Sequence, residues 1–123
     1  MEINMNELKN SIEKINIFLE KNNCSDFRIK SYDGHKLSLI GSFDLCYYHE
    51  IEIIFYNVYR ISMDTMFCVD CDKNPFQFHK LDYENGMFEV VITSDCNYGK
   101  TEQSIIFKNM DLIIERVKYF DNA

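Results

Sequence analysis

A chain of 123 residues with 46% hydrophobic and 15% aromatic content is long enough for one domain that buries its own core, which argues against disorder. Twenty acidic against thirteen basic residues leave a formal charge of −7, a field that disfavours nucleic acid and anionic membrane surfaces and favours a basic protein partner. No apolar run is long enough to cross a bilayer, and the opening MEINMNELKN is acidic and polar where a signal peptide is basic and then apolar, so the expected location is cytoplasmic.

The first expected element is an amphipathic helix over 5–21, because Met5, Leu8, Ile12, Ile15 and Leu19 recur at spacings of three and four. Asn4 with Glu7 forms a capping-box pattern, and Asn22-Asn23 ends the run. From Asp26 to Ile40 a hairpin is expected, with Tyr32-Asp33-Gly34 as a three-residue loop that pairs Ile29 with Leu37 and Phe27 with Leu39.

Residues 41–48 link this hairpin to the next and gather Asp44, Tyr47, Tyr48 and His49 just before Glu50. Tyrosine offers a large contact area at low entropic cost, so these five are the candidate partner-binding residues. In HEIEIIFYNVYRISM (49–63), apolar Ile51, Ile53 and Phe55 alternate with Glu50 and Glu52, the period of a half-buried strand. A three-residue loop at 56–58 would return the chain as a hairpin, pairing Phe55 with Tyr59, Ile53 with Ile61 and Ile51 with Met63. The string Ile53-Ile54-Phe55-Tyr56-Asn57-Val58 is echoed by Ile105-Ile106-Phe107-Lys108-Asn109-Met110, which makes a second hairpin of the same kind plausible.

Asp70, Asp72 and Asn74 open like a calcium loop, but Pro75 stands where the turn needs Gly and Leu81 where a bidentate carboxylate is needed, so an EF-hand is excluded. Phe76 and Phe78, then the Asn85-Gly86 turn, then Phe88, Val90 and Ile92 make another antiparallel pair, and 94–102 reads as a polar loop containing Asp95, Asn97 and Gly99. Residues 105–120 fit either strands or a helical face around Ile113, Arg116, Val117 and Phe120, with strands favoured.

The elements sum to an α+β domain spanning 1–123: an N-terminal amphipathic helix packed on a mainly antiparallel, hairpin-built sheet or sandwich. Five cysteines, an odd number without a secretory signal, argue against a disulfide framework. Cys68 and Cys71 have a zinc-like spacing, with His79, Cys46 or Cys96 as distant completing ligands, but no second close pair, so no metal and no cofactor is expected.

Tyr48-His49-Glu50-Ile51-Glu52-Ile53, continued by Ile54-Phe55 and Asn57-Val58, resembles a short pattern in small bacterial immunity proteins of polymorphic-toxin systems. The resemblance covers under a fifth of the chain. It implies a non-enzymatic protein that sheathes a toxin domain; the acidic charge suits a basic, nuclease-like partner, and the chain is expected to be a monomer or dimer. Two other functions compete with it. A small enzyme would use Asp44, His49, Glu50 and Glu52, although alternation puts Glu50 and Glu52 on one strand face and His49 on the other. A structural or assembly module would use an uncapped sheet edge.

Overall fold

The computed structural model describes residues 4–80, 86–96 and 99–120, apart from the side chains of Lys80 and Cys96. Helix α1 (Met5–Asn22) starts where Asn4 accepts the Glu7 N–H at 2.9 Å. The Asn4 amide also donates to the Glu7 carboxylate at 2.7 Å, so the cap is closed side chain to side chain. It stops at Asn23, which takes the left-handed conformation (φ 51°) that Asn tolerates. Leu8, Ile12, Ile15 and Leu19 are buried, the stripe that the spacing predicts.

Nine strands follow: β1 (Asp26–Tyr32), β2 (Lys36–Ser42), β3 (Tyr48–Tyr56), β4 (Arg60–Ser62), β5 (Met66–Cys68), β6 (Phe76–Lys80), β7 (Phe88–Cys96), β8 (Gly99–Phe107) and β9 (Asn109–Lys118). They form a five-stranded sheet, β5-β1-β2-β3-β9, and a four-stranded sheet, β4-β8-β7-β6, with every pairing antiparallel. The α+β architecture is therefore as expected, while several connections are not.

The β1–β2 hairpin pairs Ile29 with Leu39 and Phe27 with Gly41, two residues from the expected register, because the loop is 33–35 and β1 carries an irregularity between Ile29 and Ser31. A shift of two keeps the same faces, so Phe27, Leu37 and Leu39 remain in the core. Asp33 organises that loop by accepting the backbone N–H groups of His35 (2.9 Å) and Lys36 (2.7 Å), which hold its carboxyl below the ordinary range.

The expected hairpin at 49–63 does not form. After Tyr56 the chain leaves the first sheet, and β4 joins the second sheet against β8, pairing Ile61 with Ile105. Asn57 (φ 53°) makes the bend, so its tolerance of positive φ serves a sheet crossing rather than a hairpin. The echo at 105–110 crosses in the opposite direction: β8 ends at Phe107 in the second sheet and β9 begins at Asn109 in the first. β3–β4 and β8–β9 are thus two bent ribbons that pair with each other through the corner. Tyr56 lies opposite Asn109 before the bend and Arg60 opposite Ile106 after it. Lys108 N–H donates to the Tyr56 carbonyl (3.2 Å) and Tyr59 N–H to the Ile106 carbonyl (2.8 Å), so the ladder is carried across. The Phe55 and Phe107 rings meet edge to face at 4.9 Å inside the corner.

At the far edge of the second sheet, the Asn16 amide donates to the Phe76 carbonyl (3.0 Å) and accepts the Phe76 N–H (3.1 Å). A side chain of α1 thereby occupies the outer edge of β6, where another strand would pair. Pro75 stands immediately before this strand, a position that tolerates a residue without an N–H, and its carbonyl accepts from Thr93 N–H. The expected Asn85-Gly86 turn lies partly outside the described residues, with Asn85 not among them, but Phe76 pairs with Ile92 and Phe78 with Val90 as an antiparallel pair requires. The expected loop at 94–102 is instead strand: β7 and β8 pair out to Cys96 and Gly99, while Asn97 lies outside the described residues. Residues 109–118 are strand, not helix.

Candidate protein-binding surface

The segment that leads out of β2 is shaped by its polar residues. Ser42 Oγ accepts the Asp44 N–H (2.9 Å), Asp44 Oδ1 accepts the Cys46 N–H (3.1 Å), and the Asp44 carbonyl accepts from Tyr47 and Tyr48 (3.3 Å each). This tight turn drives Leu45 inward and turns Phe43 (59% exposed) and Tyr47 (53%) outward. The Tyr47 ring packs edge to face against exposed Phe120 at 6.4 Å. The turn also forms the wall between two cavities.

The larger cavity, about 420 Å³, lies where β1 and β5 face the end of the β7–β8 hairpin. Phe27, Leu45, Met66 and Phe67 give it apolar walls, while Asp26, Asp44 and Asp64 supply carboxylates. Ser94 and Thr101 complete it beside Gln103, a buried amide that donates to Asp64 Oδ2 (3.1 Å) and Ser94 Oγ (3.2 Å) and accepts the Asp64 N–H (2.5 Å). Ser94 in turn donates to the Thr101 carbonyl (3.0 Å). These bonds satisfy the buried amide and hydroxyl and hold the Asp64 loop against the second sheet.

The smaller cavity, about 400 Å³, is lined by Tyr47, Tyr48, Arg116 and Lys118. Arg116 stacks on Tyr48, 4.6 Å from the ring centroid, and donates to Glu50 Oε1 at 2.6 Å. The second Glu50 oxygen is buried with no hydrogen-bond partner among the described residues.

The five residues singled out from the sequence are therefore split. Asp44 opens on the larger cavity, and Tyr47 and Tyr48 on the smaller. His49 and Glu50 are only 6% and 7% exposed and are held internally, His49 by a 2.9 Å bond between Nδ1 and the Tyr119 hydroxyl and Glu50 by Arg116. Burial lowers the His49 pKa, an effect that the nearby Glu52 opposes. Burial raises that of Tyr119, with Arg28 pulling the other way.

Glu50 and Glu52 do not share a neighbourhood. The β3–β9 ladder slips between His49 and Ile51, and this breaks the alternation on which that expectation rested. Glu50 meets Arg116 and lies near buried Cys24, whereas Glu52 bonds to Ser38 and Lys30 and sits close to His49. Burial alone would raise the Glu52 carboxyl, but the bonds from Ser38 and Lys30 hold it below its ordinary value. Asp44, His49, Glu50 and Glu52 thus converge on no common point.

Cys68 closes β5 and Cys71 lies in the turn beyond it, where burial and the charge of Asp72 raise its pKa. Cys24 is pushed up further, by burial and then by Glu50. Among the described residues no group of three or more His, Cys, Asp or Glu is placed to hold a metal ion, and no helix is long and apolar enough to cross a membrane.

Asp26, Asp64, Met66 and Gln103 were not singled out from the sequence. Asp26 and Met66 are joined only by the pairing of β1 with β5, which sets Asp26 opposite Cys68 and Arg28 opposite Met66. Nothing in the local pattern announces that pairing. Compared with protein-family models, curated proteins and solved structures, the chain matches none.

Proposed function

We propose that this chain is a non-enzymatic acidic binding protein of the immunity type, which neutralises a basic, nuclease-like toxin by covering it. The observation that carries the reading is the turn at 43–47. It presents exposed Phe43 and Tyr47 beside a cavity whose charged residues are all acidic, on a chain of net charge −7. Exposed aromatic side chains supply the anchors of a protein interface, and acids around them steer a cationic surface into register. A nuclease domain has such a surface because its active site must attract phosphate.

The test is enzymatic. The toxin domain encoded by the neighbouring reading frame is assayed for nuclease activity with and without this chain at equal concentrations. Stoichiometric loss of activity, weakened by salt, is the expected result. A neighbouring frame that encodes no toxin, or undiminished nuclease activity, would remove the reading.

One observation favours a second reading, that of an assembly module. β9 is a ten-residue outer strand on which Ile113, Ile114 and Val117 are exposed, and long apolar edges invite strand addition. Sedimentation velocity separates the two, since assembly through β9 predicts a species that grows with concentration when no partner is present.

A further inference from the structure

The larger cavity carries charge of one sign. Asp26, Asp44 and Asp64 line it, no lysine or arginine does, and none of the three forms an ion pair with a described residue. Each spends one oxygen on the protein's own frame. Asp44 Oδ1 accepts the Cys46 N–H, Asp64 Oδ2 accepts from Gln103, and Asp26 Oδ1 takes long 3.5 Å bonds from Ser25 and Cys68. The other oxygen of each carboxylate keeps its acceptor capacity.

Between these acids the surface is apolar, with Phe27 and Phe67 stacked at 5.6 Å behind Leu45 and Met66. An occupant must therefore join a long apolar stem to a cation that can face several carboxylates at once. Arginine does so: its methylenes lie along apolar walls, and its flat guanidinium carries five donors and is less strongly hydrated than an ammonium. A cavity of about 420 Å³ is at the small end of the range that seats ligands, enough for one long side chain and its surroundings.

We infer that this cleft seats an arginine side chain of the basic partner, with Asp26, Asp44 and Asp64 as the receiving carboxylates. The inference deepens the function proposed above and rests on it for the claim that the arginine belongs to a protein. Met66, which lines the cleft and is 63% exposed, would cover the seated side chain and exclude water from the ion pairs.

The experiment uses n-butylguanidinium, the end of an arginine side chain, titrated into the full isotope-labelled chain and followed by NMR. Saturable shifts at Leu45, Met66 and Phe67 are expected, with a dissociation constant on the order of millimolar for so small a probe. Neutral n-butylurea, of the same shape, is expected to bind at least about fivefold more weakly, as is the probe to Asp44→Asn combined with Asp64→Asn. Both Asn substitutions keep an acceptor oxygen in place, and an unchanged melting curve confirms that the fold survives.

Equal binding of the urea, unchanged binding to the Asn pair, or shifts lying elsewhere would overturn the inference. A further variant, Met66→Trp, blocks the mouth without changing charge and is expected to weaken both probe binding and toxin capture. If the toxin is still neutralised with the cleft blocked, the cleft assignment falls and the immunity function stands. If the guanidinium seats in the cleft and no toxin is neutralised, the immunity function falls and the chemistry of the cleft stands.

Discussion

The two ends of the sandwich are built on opposite principles. At the corner, Phe55 and Phe107 meet face to edge and two bent ribbons keep their hydrogen bonds through the turn, so the sheets are sealed by apolar contact and backbone pairing together. At the cleft the sheets part. There Ser94, Thr101 and Gln103 of the second sheet are joined by side-chain bonds to one another and to Asp64, in the segment leading into β5, and the unsealed space is lined by carboxylates. The first end is closed by packing, and the second leaves an open, acid-lined cleft.

Substitutions sharpen this contrast. The largest effect is expected at the corner: Phe107→Ala removes a fully buried ring and should cost about 3–5 kcal/mol in a urea titration, a large fraction of the roughly 5–15 kcal/mol that holds a domain folded. A much smaller loss would mean that the two ribbons do not depend on their ring contact.

Next comes Gly41→Ala. Its Cβ would stand 2.5 Å from the Phe27 ring and 2.9 Å from Ile51, both in the core, so these neighbours must shift, and Phe27 also lines the cleft. A loss of about 1–3 kcal/mol is expected, with shifted Phe67 resonances as the sign that the cleft wall moved. Asn57→Ala tests the bend itself. A positive φ disfavours alanine, so roughly 1 kcal/mol should be lost, while Asn57→Gly should be close to neutral.

The cleft acids should behave differently from the corner. Asp44→Asn with Asp64→Asn is expected to leave stability within about 0.5 kcal/mol, because neither carboxylate holds the fold through an ion pair. The smallest effect concerns His49. Its pKa is depressed by burial below the ordinary 6.5, so the unfolded chain binds the extra proton more readily and stability falls as pH drops through that value. The melting temperature should decline modestly between about pH 7.5 and 5.5, and His49→Gln should flatten the slope.

What could be read from the sequence follows the same divide. Periodicity is local, so the helix stripe, the paired strands of 76–92 and the apolar faces of β1, β2 and β3 were all legible. The repeated Ile-Ile-Phe string is plain in the sequence, but a residue that tolerates positive φ makes a hairpin turn and a sheet crossing look alike, and only the far partner, β8 or β9, decides between them. The candidate site was legible in Asp44, Tyr47 and Tyr48, which the turn places on cavities. His49 and Glu50 are instead buried, at the point where the ladder of their own strand with β9 slips, and periodicity alone announces neither. Asp26 and Asp64 could not be joined at all, since their meeting depends on the pairing of β1 with a three-residue strand.

The bent ribbons also govern when this protein can exist. Because β3 has β2 on one side at once but finds its second neighbour only in β9, some sixty positions later, a nascent chain carries the core strand with one flank bare until residue 118 has been made. A translating ribosome therefore exposes a sticky, half-finished sheet for almost half of synthesis. Shortening the chain within 109–118 should yield an insoluble product rather than a soluble but less stable one.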